Sequence, residues 1–432
     1  MNKMHRTISA TGERVYLLDK VLFCIWLLVP AYQYSDLHVQ NSRVGFWGIA
    51  AILILRLAMR DLLRRRIVLP SRGLFVPFTL VCAWKFVELV RAPDQLSAAF
   101  LVFVDFLITY VCCLMVAPRI FSVDTWLLEF RRLNVFALGL AIVAHPFIPD
   151  RTDMAGWDKG ESWAFAHPNI AAMYPLVIYL ITIIMFGMRV KRGPQWSDVL
   201  CIAFSLLTLT LTGSRTTLAI LIVATLLALF NVVALAYIKD RVDHEVQALI
   251  VLLKLCAVGI IAGGAYYAYV LLGAQAIDDN FSGRLSFARQ VLLSAKNLVL
   301  GVGLLPPGSN LLADNATRGA GIDGLYTNLV YGEGYVGFVI FLIAMFGFRR
   351  MVSFDRRCKA FFGVALVSGL LFGVTETHFW LLASPLTALV AILASTLGTQ
   401  AGSRAVINLG APQPQFIHLE GARVEGRASW RA

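Results

Sequence analysis

Twelve apolar runs, each near the length a bilayer demands, constrain this chain more than anything else in it. A helix needs about 20 predominantly apolar residues to cross the hydrocarbon. Runs of that order lie at 16–35, 44–60, 73–91, 98–117, 133–148, 169–188, 198–213, 216–238, 248–272, 325–348, 360–376 and 380–398. Composition agrees: 58% of residues are hydrophobic and 15% charged, where soluble domains carry about a quarter charged residues. The expected fold is therefore an all-α polytopic membrane protein of about 12 transmembrane helices, with residues 1–398 as one membrane domain. The first run has no small-residue cleavage site and more spans follow it, so it reads as a span and not a removed leader.

Basic residues recur in every second loop, which orients the bundle. With the N-terminus inside, the cytoplasmic loops hold Arg60, Arg64, Arg65 and Arg66, then Arg119, Arg131 and Arg132, then Arg189, Lys191 and Arg192. Lys239 and Arg241 follow, and last Arg349, Arg350, Arg356, Arg357 and Lys359. The net charge of +12 is mostly this topology signal and gives no reason to invoke nucleic acid. The Gly/Pro-rich, polar tail 399–432 reads as a disordered cytoplasmic segment. Cys24, Cys82, Cys112, Cys113, Cys201 and Cys256 fall within spans and Cys358 in a cytoplasmic loop, so neither a disulfide nor a Cys/His metal site is expected.

Polar residues then collect on the other side. Two external loops are long, 149–168 and 273–324, and a structureless connector of the second one's length is usually functional. Thr212-Gly213-Ser214-Arg215 makes a tight external turn, and Glu376-Thr377-His378 another. A turn between apolar helices needs Gly and small polar residues but no arginine. Arg215 is either a snorkelling side chain or a ligand for phosphate, whose oxygens the guanidinium fork matches. Within the long loop, 284–299 reads as an amphipathic helix with Leu285, Phe287, Ala288, Val291, Leu292, Ala295, Leu298 and Val299 on its apolar side. Arg284 projects into that arc, where an unpaired charge is expensive, unless it bends out to water from the first turn. Arg289 and Lys296 lie on the polar flank.

Asp323-Gly324 is either a turn dipeptide or a cap at the mouth of the tenth span. Glu333, between Gly332 and Gly334 and one turn from Gly337, is expected to be a buried carboxylate at a site of close helix packing and, as a charge within a span, a functional candidate. Lys85 and Glu88, three apart on one helix face, are expected to pair, with Asp105 able to join them. His167 precedes Pro168 where the sixth span begins.

Three blocks resemble the O-antigen ligase/polymerase superfamily. They are Phe165-Ala166-His167-Pro168-Asn169, Leu209-Thr210-Leu211-Thr212-Gly213-Ser214-Arg215, and the run from Gly283-Arg284 through Gly301-Val302-Gly303 to Tyr326 and Gly334-Tyr335-Val336-Gly337. The resemblance implies a GT-C-like, metal-independent glycosyltransferase in the bacterial inner membrane, without a cofactor and with its active site on the periplasmic side. Its donor would be an undecaprenyl-diphosphate-linked saccharide held among membrane lipid, and a polymerase would work with a chain-length regulator of the Wzz type. Arg215 and Arg284 match the family's diphosphate-binding arginines, with Ser214, Arg289 and Tyr326 as further substrate-binding residues. Where ligases carry His-Asn this chain has Asp323-Gly324, which favours a Wzy-type polymerase over a ligase acting on lipid A-core.

The acceptor hydroxyl needs a general base; Asp323 is the first candidate, with His167, Glu376 and His378 behind it. A secondary transporter, the competing class, predicts internal repeats and helices broken near the bilayer midplane, and the two halves show no convincing repeat. Cysteines introduced at Ser162 and Ser309 are expected to react with membrane-impermeant reagents in intact cells. Labelling at 356–359 with silence at both positions overturns the orientation.

Overall fold

The computed structural model describes residues 17–33, 42–64, 66–69, 72–92, 96–147, 161–165, 168–188, 195–238, 289, 291–293, 297–304, 324–351, 356–376, 379, 384–400 and 405–408. Among them the chain is helical apart from one short ribbon. The helices are α1 (Leu17–Gln33), α2 (Ser42–Leu63), α3 (Arg72–Val90), α4 (Leu96–Ile120), α5 (Val123–Ala144), α6 (Pro168–Met188), α7 (Trp196–Leu211) and α8 (Arg215–Ile238). Then come α9, α10 (Arg356–Thr375) and α11 (Pro385–Gln400). Helix α9 is built from Leu325–Asn328, a π turn Leu329–Glu333 and Gly334–Met351. Five of these, α4, α6, α8, α9 and α10, have candidate spans long and apolar enough to cross a membrane, and the protein is a membrane protein on that ground. The expected span 248–272 lies outside the described residues.

Helices α6 and α11 form the centre. Helix α6 is apolar all round and buried over nearly its whole length, as such a helix must be. It packs on α5, α7, α8 and α10. Around α1, α2 and α5 the core is aromatic: Trp26 stacks on Phe46 at 5.1 Å and Trp126 on Phe130 at 4.4 Å.

Strand β1 (Arg66–Leu69) pairs antiparallel with β2 (Ala405–Asn408), Arg66 opposite Asn408. The tail expected to be disordered thus contains a strand, because the loop after α2 offers it a partner edge. The ribbon puts the α2–α3 connection and the segment after α11 at one end of the bundle, hereafter the ribbon end.

Several expectations change for one physical reason: charge inside the bundle is paired. Helix α5 begins at Val123, ten residues before the expected span at 133. Ser122 caps it, and Arg131, expected in a loop, is buried in the helix with Asp198 of α7 at 2.6 Å. Arg119 pairs with Asp61 at 2.9 Å and Arg56 with Asp19 at 2.6 Å, also towards the ribbon end. Cys358 lies within α10, not in a loop. Lys85 and Glu88 do not pair with each other. Lys85 pairs with Glu333 of α9, while Glu88 takes Arg91 at 2.7 Å. Asp105 joins neither, accepting from Trp47 at 2.7 Å and pairing with Arg43 at 3.1 Å.

The Lys85–Glu333 pair sits where α9 is broken. After the π turn, Gly334 adopts φ +72° and the helix restarts. Backbone groups freed at a break inside an apolar bundle must find partners within the protein. A strap, residues 297–304, supplies them. Val302 N donates to Tyr331 O (3.0 Å) and Gly303 N to Gly332 O (2.9 Å), while Tyr335 N donates to Leu298 O (2.8 Å) and Val336 N to Val299 O (3.2 Å). The amphipathic helix expected to reach 299 therefore gives way to a turn over 298–300. The crossing is tight. A Cβ on Gly301 would stand 2.1 Å from Gly332 O, and one on Gly334 2.3 Å from Val299 O.

Helix α3 fixes the strap from the other side. Leu304 N donates to Glu88 O (3.1 Å), Arg91 donates to Leu300 O (2.6 Å) and Gly301 O (3.0 Å), and Trp84 Nε1 donates to Glu333 O (3.2 Å). Lys85→Met strands the buried Glu333 carboxylate and is expected to cost about 3–5 kcal/mol, read as a lower melting temperature of the detergent-solubilised protein. Lys85→Met with Glu333→Met should recover most of it. Equal losses in the single and double variants count against the ion pair as the anchor.

Candidate functional site

At the end of the bundle away from the ribbon, three helix termini meet around a chain of hydrogen bonds. Ser214 precedes α8 and caps it, its carbonyl accepting from Leu218 N at 3.1 Å. Its hydroxyl lies 2.8 Å from Thr217 Oγ1 and donates to Asn169 Oδ1 at 3.1 Å. Asn169, in the first turn of α6, donates in turn from Nδ2 to Glu376 Oε1 at 2.6 Å. Glu376 closes α10, with its own N–H on Phe372 O at 3.0 Å. With Ser214 donating, the polarity runs one way, Thr217 to Ser214 to Asn169 to Glu376, so the links reinforce one another and end on a carboxylate.

Burial sharpens this. Ser214, Thr217 and Glu376 are buried, Glu376 at 7% exposure, while Asn169 is half-buried. Arg215, the residue after Ser214, is exposed in the first turn of α8. A helix N-terminus carries partial positive charge, so Arg215 adds cation to cation, an arrangement that suits an anion.

Two neighbours complete the surface. Gly324, at the mouth of α9, packs against the end of α10 so closely that a Cβ there would lie 2.8 Å from Val374 O. That contact brings the start of α9 to within two residues of Glu376 along α10. Residues 161–165 approach from α7: Glu161 N donates to Leu211 O at 2.8 Å, and Phe165 stacks on Tyr174 at 4.6 Å. Trp163 is the one described non-glycine residue at positive φ (49°). It is buried there, with its carbonyl 3.1 Å from His145 Nδ1. Such a conformation persists only where surrounding packing holds it.

Of the residues singled out from the sequence, the structure brings Ser214, Arg215 and Glu376 to one place. Tyr326 belongs elsewhere: its hydroxyl donates to Leu370 O at 2.6 Å and its ring meets Phe338 edge-on at 6.0 Å, so it joins α9 to α10. Arg289 is helical and exposed while Val291 is buried, as their places on the helical projection require. It does not enter the hydrogen-bond chain. Arg284, His167, Asp323 and His378 lie outside the described residues. Among those described, no three His, Cys, Asp or Glu side chains gather to hold a metal ion.

Asn169 is the member that sequence reasoning gave no role. Its signal was weak, an asparagine after Pro168 at a helix start, a position where such a residue ordinarily serves the backbone. No family model, curated protein or solved structure matches the chain. Tyr326→Phe is expected to lower stability by about 0.5–1.5 kcal/mol, the worth of one hydrogen bond, read as a lower melting temperature of the detergent-solubilised protein. An unaltered melting temperature would show that the hydroxyl does not join α9 to α10.

Proposed function

We propose that this protein is a polyprenyl-diphosphate-dependent glycosyltransferase of the O-antigen ligase/polymerase type, joining undecaprenyl-diphosphate-linked repeat units at the periplasmic face of the bacterial inner membrane. The observation that carries the reading is the junction of Ser214–Arg215, Asn169 and Glu376 at one end of the bundle, beside Gly324. A carboxylate suited to accept a hydroxyl proton there adjoins a cation suited to a diphosphate. The fold proposed is a GT-C-like bundle of twelve spans. The ribbon agrees with an even number of crossings between residues 69 and 405, as twelve spans would give.

The chemistry needs no metal. As the glycosidic bond breaks, negative charge grows on the leaving diphosphate; Arg215, with Arg284 from the long loop, stabilises it in the role divalent ions fill elsewhere. The acceptor is a second lipid-linked unit. Polymerase is preferred to ligase because position 324 has no room for the asparagine of the ligase pair: a Cβ alone would already press on Val374 O.

One observation favours a different class. Helix α9 is broken beside the buried Lys85 and Glu333, as helices of secondary transporters are broken around their ion sites. Here the break is occupied by the strap 297–304, which takes the freed backbone groups itself, and this argues for a structural junction.

Purified protein given only lipid-linked repeat units is expected to build a ladder of longer chains, with EDTA present or absent. Arg215→Ala should abolish the ladder, Arg215→Lys should restore it poorly for want of the fork, and Arg289→Ala should be mild. Activity that appears only on adding lipid A-core makes the protein a ligase, and a strict Mg²⁺ requirement removes the mechanism.

A further inference from the structure

We infer that Glu376 is the catalytic base that takes the proton from the acceptor hydroxyl, with Asn169 and Ser214 as its positioning residues. The inference rests on the glycosyltransferase reading above and moves the base from Asp323, the first candidate from sequence, to the carboxylate at the end of the hydrogen-bond chain.

Three features single out Glu376. It stands at the C-terminus of α10, a 20-residue helix, where the helix dipole favours cations and opposes an anion. A carboxylate there does not serve the helix it ends. It is buried, yet tied to half-buried Asn169 and thereby to exposed Arg215, so it lies one amide side chain away from the turn that bears the cation. The base and the leaving-group ligand are thus built on adjoining helix ends, as a displacement with the acceptor on one side and the diphosphate on the other requires. Finally, the carboxylate is held in place: the Asn169 amide donates to one of its oxygens at 2.6 Å. Ser214, itself paired with Thr217, holds the amide in turn.

The acceptor oxygen forms a bond to the anomeric carbon as its proton passes to Glu376. The anomeric carbon–oxygen bond to the diphosphate breaks, and its electron pair leaves on the diphosphate, beside Arg215. The proton on Glu376 then returns to water or to the departing diphosphate. The configuration at the anomeric carbon inverts.

The test uses two nucleophiles with the purified full-length protein and a lipid-linked repeat unit as donor. One is the ordinary acceptor, a second lipid-linked unit whose hydroxyl must lose a proton. The other is azide, which attacks without a proton to lose and yields a glycosyl azide. Glu376→Gln is expected to lose polymer formation by about 10²–10⁴-fold, the usual contribution of a general base, and to form the glycosyl azide as fast as the parent. Asn169→Ala should show the same split at smaller amplitude, and Arg215→Ala should lose both products.

Affinity for undecaprenyl diphosphate alone gives a second measure that does not depend on azide being accepted. It should be unchanged in Glu376→Gln and weakened at least about tenfold in Arg215→Ala. Should Glu376→Gln not accumulate, Glu376→Asp must show the same pattern. Equal loss of both products, equal weakening of diphosphate binding, or no loss at all overturns the assignment. A parent protein that releases no polyprenyl diphosphate with either nucleophile overturns the glycosyltransferase reading itself.

Discussion

The need to satisfy backbone polar groups away from water decides the architecture around α9. An unbroken helix through 325–351 would leave the strap no place to bind, and a break without the strap would leave peptide groups unpaired, each costing several kcal/mol in hydrocarbon. The two segments solve each other's problem through four main-chain hydrogen bonds. Lys85 and Glu88 on α3 and Arg91 just past its end, recurring every three residues, then hold the crossing by charge: one on Glu333, one on its neighbour and one on the strap carbonyls. The consequence reaches the candidate site. Gly334 lies against the strap, and at the other end of the same short stretch Gly324 lies against Val374, two residues from Glu376.

Helix α4 meets the same constraint on a smaller scale. Its π turn at Cys112–Val116 precedes Pro118, which has no N–H to offer. The Cys113 carbonyl is taken instead by Ser395 Oγ of α11 at 2.8 Å. A hydroxyl on a central helix thereby stitches an outer helix to the core. Charges obey a parallel rule at the ribbon end. Arg56, Arg119 and Arg131 each meet an aspartate. Residues that report topology by their sign also join helices by their contacts, and the two roles are not in competition.

What was legible in the sequence follows from which interactions are local. Apolar runs are local, so the helices were found. The alternation of polar turns is local too, so Ser214, Arg215 and Glu376 were placed on one face before any contact was known. Pairing was misread wherever the partner is distant. Lys85 and Glu88 share a helix face three residues apart, but the carboxylate that Lys85 meets is 248 residues away. The start of α5 was misplaced because Glu129, Arg131 and Arg132 look like a loop until Asp198 is seen to hold Arg131. Nor could spacing reveal that Asn169 links Ser214 to Glu376 across 45 and 207 residues of chain.

A site made of helix termini has a mechanical property that a site made of loops lacks. Asn169 begins α6, one of the two helices at the centre of the bundle, so the amide at the middle of the hydrogen-bond chain is anchored in a helix buried over nearly its whole length. Ser214 is fixed as the cap of α8, and Glu376 is still within the hydrogen-bond ladder of α10. Arg215, by contrast, is exposed. In the proposed reaction the carboxylate must meet a hydroxyl at a defined distance, a geometric demand that rigid helix ends answer. The arginine must follow a diphosphate on a mobile lipid, where a long side chain with a planar fork has the advantage. The division between a buried, held carboxylate and an exposed cation is thus what a transferase with one fixed and one mobile partner calls for.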